Sequence, residues 1–150
     1  MTGLKNDIFG QTNNMKKIIN LSFIPIKTDS ALLLLRVWLG FGVLLRHGVE
    51  KISGFGKMAE HFPDPIGIGS SASLSFALVS DAICSILVII GFATRLSASI
   101  IIMNLFVAFG FLYKFSIDKP QSELAFVYLG GFIAILLAGA GKYSIDSKLK

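Results

Sequence analysis

Between Ala31 and Lys51 the chain reads ALLLLRVWLGFGVLLRHGVEK. This is roughly 20 residues, about 30 Å of helix, enough to cross the hydrocarbon core of a bilayer. Its charges stand where a lipid-facing helix would not tolerate them. At 100° per residue, Arg36, Gly40, Val43, His47 and Lys51 share one narrow face with Glu50 close by, whereas Trp38, Leu45 and Val49 point elsewhere. A charge at bilayer depth costs a few kcal/mol or more unless it is paired or faces a wet cavity. The polar face must therefore look into a protein interior, and the rest of the chain must supply its partners.

Composition agrees with a membrane setting. Of 150 residues, 53% are hydrophobic and 15% charged, where a soluble domain carries about a quarter charged residues. Four apolar runs predict an all-α fold, an integral membrane four-helix antiparallel bundle. The net charge of +5 comes from basic residues at the ends of those runs, the distribution a positive-inside bias leaves. It forms no basic patch interleaved with aromatics, so nucleic acid is not an expected partner; the lipid bilayer is. The single cysteine, Cys84, excludes an intrachain disulfide, a CxxC pair and a cysteine metal cage, and reads as a small buried residue.

Three regions follow along the chain. Residues 1–30 read as an N-terminal extension: polar and disordered to Asn14, then a short apolar piece interrupted by Pro25 that would lie at the membrane interface. Met15-Lys16-Lys17 resembles a second start, and no small-residue cleavage site is seen. Residues 31–146 form the membrane domain, and 147–150 a polar tail. Asp29 or Ser30 is expected to cap the first helix. The first loop, Ile52 to Ser71, holds an amphipathic piece over 55–62 that reads as a lid, followed by PDPIGIG. Further helices are expected near 72–91, 96–113 and 123–139. Ser73, Ala77, Asp81 and Ser85 give the second a small, polar stripe. Four spans put both termini on one face, where eight basic residues stand against five on the other, favouring cytoplasmic termini.

Each helix thus brings a polar group into the bundle: Arg36 and His47, Asp81, Asn104, Glu123. A bundle can converge them on one pocket. Arg36 or Lys51 is expected to pair with Asp81, and His47 with Glu123. A carboxylate beside an imidazole can exchange protons near neutral pH. His47 and Glu123 are therefore the candidate catalytic pair, and Arg36, Lys51, Asp81 and Asn104 the candidate ligand-binding residues. The competing account is that buried ion pairs only set helix register. Only His47 and His61 could serve as imidazole ligands, at different depths, and no metal-ligand spacing or glycine-rich phosphate loop occurs.

The segment RVWLGFGVLLRHGVEKISGFGKMAEHF resembles the opening of DoxX-family membrane proteins. The similarity continues through Asp81, where the family often has Glu, then GFATR, Ser122-Glu123-Leu124-Ala125 and GAGKYSID, covering about residues 31–146. The loop PDPIGIG departs from the family pattern. The resemblance implies a four-helix bundle in the cytoplasmic (inner) membrane of a bacterium, associated with electron transfer or oxidative stress. It carries over Arg36, His47, Lys51, Asp81 and Glu123 as functional positions. The leading expectation is a redox-associated subunit that has no intrinsic cofactor, binds a quinone or similar small apolar molecule, and works beside a partner oxidoreductase subunit. Two alternatives stay open: a small transporter or proton-coupled permeation unit, and an assembly or scaffold protein without a ligand.

Overall fold

The computed structural model describes residues 27–149, together with Met15, Ile19, Leu21 and Pro25. The expected extension over residues 1–30 thus falls for the most part outside the described residues. Four helices are long and apolar enough to cross a membrane: α1 (Thr28–Met58), α2 (Ser70–Ile90), α3 (Thr94–Leu112) and α4 (Pro120–Ala138). A short α5 (Ile145–Lys148) follows. The protein is all-helical over the described residues, as the four apolar runs predict.

The helix ends obey local chemistry. Gly91, at φ 75°, closes α2 in the left-handed conformation that glycine adopts without a Cβ penalty. Pro120 opens α4 at its first position, where a missing N–H costs nothing. At the start of α1, Asp29 sits inside the first turn and does not act as the N-cap. Its carboxylate accepts from the Lys142 backbone N–H at 2.8 Å, tethering the tail to α1.

α1 departs most from expectation. It was expected to end at Lys51, with a separate lid over 55–62, but it runs on unbroken for 31 residues to Met58. The extension holds no proline, and the Ser53 hydroxyl donates back to the Val49 carbonyl at 3.0 Å. Glycine inside a helix costs only about 1 kcal/mol against alanine, so Gly54 and Gly56 do not stop it.

Call the end carrying the α1–α2 and α3–α4 connections the loop end, and the opposite one the terminal end. The apolar core lies toward the terminal half, built by Leu39 and Val43 of α1, Val88 of α2, Ala98 and Ile101 of α3, and Phe132 and Ile135 of α4. Lipid is as apolar as these side chains, so close van der Waals contact must hold them together. Close approach is visible at Gly48, where an added Cβ would lie 2.7 Å from the Asp81 carbonyl oxygen. Trp38, Leu45 and Leu137 are more than 60% exposed on the outside of the bundle, where lipid would cover them.

Candidate functional site

The polar face of α1 does turn inward. Arg36 and Val43 are fully buried and Lys51 nearly so, with His47 half-buried between them. The partners differ from a simple stack of charges. Lys51 Nζ meets Asp81 Oδ2 at 2.8 Å, the only ion pair among the described residues. The other carboxylate oxygen, Oδ1, accepts from Asn104 Nδ2 at 2.9 Å and from the Ser80 hydroxyl at 3.2 Å. Lys51 Nζ also lies 3.4 Å from the His47 carbonyl and 6.0 Å from the centre of the Phe62 ring. Three donors on one buried carboxylate offset the cost of taking it out of water.

Arg36, the other expected partner of Asp81, lies toward the terminal end. It donates to the Val88 carbonyl at 3.3 Å and to the Tyr143 carbonyl at 2.6 Å. The choice between the two cations follows from depth: Arg36 and Lys51 stand 15 residues apart, about 22 Å of helix, and only Lys51 reaches the level of Asp81. Beside Arg36, Asp146 accepts from the backbone N–H of Ala93 at 2.7 Å and of Thr94 at 2.9 Å, which pins the tail across the start of α3. Burial alone would raise the Asp146 carboxyl, but these donors and the Arg36 charge hold it below its ordinary value.

Three helices widen locally into π-helical turns: Leu44–Gly48 in α1, Val79–Cys84 in α2 and Ala108–Leu112 in α3. Such turns are rare and concentrate at functional sites. Here they carry Arg46 and His47, Asp81, and the wall formed by Ala108 and Leu112. All three border one cavity of about 590 Å³ in the loop half of the bundle.

Cavity walls come from all four helices. His47, Lys51, Asp81 and Asn104 line it together, against Phe76, Ala77, Leu105 and Tyr128. A roof comes from the α1–α2 connection through Phe62, Pro63, Pro65, Ile66 and Ile68. The closing segment is therefore 62–68 and not the expected 55–62. Asp64 holds it: its carboxylate accepts from the backbone N–H of Ile68 and Gly69, at 3.0 and 2.7 Å, and from the Ser73 hydroxyl of α2 at 2.8 Å. The Ser73 hydroxyl foremost, with these N–H groups, keeps the Asp64 carboxyl below its ordinary value.

Two candidate residues stand apart from this site. Arg36 does not line the cavity, and neither does Glu123, which is exposed in the first turn of α4. The expected His47–Glu123 pair is not formed. Ser122, one residue earlier, is the buried one, and its hydroxyl accepts from the Lys119 N–H at 3.2 Å. A step of one residue turns a side chain by about 100°, which carries Glu123 to the outside. Arg46 and the roof residues join the site without having been singled out, because their place depends on how distant segments fold back. Tyr113 and Tyr128 also line the cavity.

A multi-pass membrane bundle with an apolar core toward one end and, toward the other, a cavity with an ion pair on its wall, is the class of protein this fold defines. The DoxX family model matches residues 31–114, more than half of the chain and all of α2 and α3, and the chain belongs to the DoxX family. No curated protein and no solved structure matches it.

Proposed function

We propose that this DoxX-family membrane protein is a redox-associated subunit that binds a quinone or a similar small apolar molecule in the loop-half cavity. The observation that carries the reading is the cavity itself: about 590 Å³, within the roughly 300–1,000 Å³ range of small-molecule sites, with mostly apolar walls and a few convergent polar groups. Phe62, Phe76 and Tyr128 suit a flat ring. A carbonyl oxygen needs donors. Lys51 has three protons, of which Asp81 and the His47 carbonyl occupy two. The His47 ring makes no hydrogen bond among the described residues, so it is free to donate to the ligand and to pass a proton. Asp81 balances the Lys51 charge. Glu123 has no part in this reading, since it faces outward.

The chain's own contribution is binding and proton supply; electrons would come from a partner oxidoreductase subunit. Localisation in a bacterial cytoplasmic membrane with cytoplasmic termini belongs to the same proposal, supported by the four spans and the basic-residue balance.

The test is mass spectrometry of the protein purified in mild detergent, followed by titration of the stripped protein with a short-chain benzoquinone. Specific binding that falls about tenfold or more in His47→Gln, at unchanged thermal stability, is the expected result. Absence of quinone and of saturable binding would overturn it. Solute or ion flux in liposomes would then favour a transporter, and its absence a scaffold.

A further inference from the structure

Several residues that line the cavity are also exposed on the outside of the bundle. Met103 is 53% exposed, Leu112 43% and Leu124 38%, and each borders the cavity. The cavity therefore breaks the bundle's surface on its flank, in addition to its roofed end. Depth decides what lies outside. Met103 stands nine residues from each end of α3, Thr94 and Leu112, about 13.5 Å of helix on either side. With a hydrocarbon core about 30 Å thick, that is the middle of the membrane, where acyl chains and not water meet the opening. Met103, Leu112 and Leu124 are apolar, as an opening onto lipid requires, and the first two stand along α3; the exposed polar lining residues, Arg46 and Gln121, lie toward the loop end. The polar groups, by contrast, lie within: Asp81 is 5% exposed and Lys51 8%.

Roof and flank differ in kind. The roof is closed by a segment that Asp64 fastens to Ser73 and Gly69, and no comparable hydrogen-bonded strap crosses the flank among the described residues. A ligand arriving from water would have to displace the roof. One dissolved in the bilayer meets an edge that carries no such strap among the described residues.

We infer that the cavity takes a tailed membrane lipid laterally from the bilayer: a compact head with hydrogen-bond-accepting oxygens sits against His47 and Lys51, and its alkyl or prenyl chain leaves through the flank beside Met103, Leu112 and Leu124. This rests on the quinone reading above and narrows it to chain-bearing ligands with a lateral route. No bond is made or broken; the claim is one of binding mode.

A benzoquinone bearing a decyl chain with a diazirine near its tip tests it, using the full-length protein in lipid nanodiscs. Photolysis should label α3 at or around Met103 and the neighbouring turn of α4 around Leu124, and excess unlabelled decyl-benzoquinone should suppress that labelling. Met103→Trp, which narrows the opening, should lower affinity for the decyl probe by about tenfold, while Leu137→Trp, on a lipid-facing site outside the cavity, should leave it unchanged. Suppressible labelling confined to 62–69 would overturn the lateral route and leave the cavity reading intact. Labelling that excess quinone cannot suppress would overturn both. Because wild-type labelling is informative by itself, a Met103→Trp protein that fails to fold does not weaken the test.

Discussion

At the scale of single residues, the Lys51–Asp81 pair is the feature on which the site depends. Asp81 uses both oxygens, on Lys51 and on Asn104 and Ser80, so removing its charge strands an ammonium group in the bundle. Breaking such a buried pair typically costs about 3–5 kcal/mol. Asp81→Asn should therefore destabilise the protein by that order in a matched detergent. Lys51→Met added to it should recover much of the loss, whereas Arg36→Gln added to it should only make matters worse, because Arg36 is held by the Val88 and Tyr143 carbonyls. Equal recovery from either cation, measured by thermal or denaturant unfolding, would contradict the pairing. The pair's partner on Asp81 was narrowed to two cations by the sequence pattern alone. Depth along α1, which depends on how α1 slides against α2, chose between them.

At the scale of elements, the π-helical turns of α1 and α2 meet face to face. Gly48 sits in one and Asp81 in the other, close enough that a Cβ on residue 48 would lie 2.7 Å from the Asp81 carbonyl oxygen. A backbone oxygen cannot swing away as a side-chain tip can. Gly48→Ala should force the two helices apart, at a cost of about 1–3 kcal/mol, and should weaken ligand binding with it; an unshifted melting temperature would show that the turns do not touch. The roof segment offers a second element-scale prediction. Because the Asp64 carboxyl is depressed in the folded protein, its hydrogen bonds stabilise the roof above the unfolded carboxyl value, about 4, and are lost as pH falls through the lower folded value. Amide exchange in residues 64–69 should accelerate on acidification relative to the bundle core, and Asp64→Asn should remove that pH dependence while raising exchange at neutral pH. Exchange that is independent of both would mean that Asp64 does not hold the roof.

At the scale of the whole molecule, the apolar core and the polar-lined cavity are separated along the bundle axis. The terminal half is packed by Leu39, Val88, Ile101 and Phe132 and tied by the tail through Arg36, Asp29 and Asp146; the loop half holds the cavity. Four spans put Thr28, at the start of α1, and Ala138, at the end of α4, on one face. In a Cys84→Ser background, cysteines placed at Lys27 and at Lys148 should react from the same side of sealed vesicles. Labelling from opposite sides would exclude a bundle of four complete spans.

Much of this architecture was legible in the chain because the governing costs act within one helix. Apolar length alone decides that a segment spans, and the price of a bare charge in hydrocarbon decides that Arg36, His47 and Lys51 face inward. Four helices, an inward polar face on α1 and a buried Asp81 follow from those two facts. What the sequence could not decide depends on register between helices far apart in the chain. Glu123 faces outward because the face that α4 packs inward is that of Ser122 and Ala125. The roof came from 62–68 because α1 did not stop at Lys51. The cavity lies where three widened turns converge, and a one-residue widening leaves no mark in a pattern of apolar and polar residues. Local energies determined the parts of this protein; packing between them decided which residues share a site.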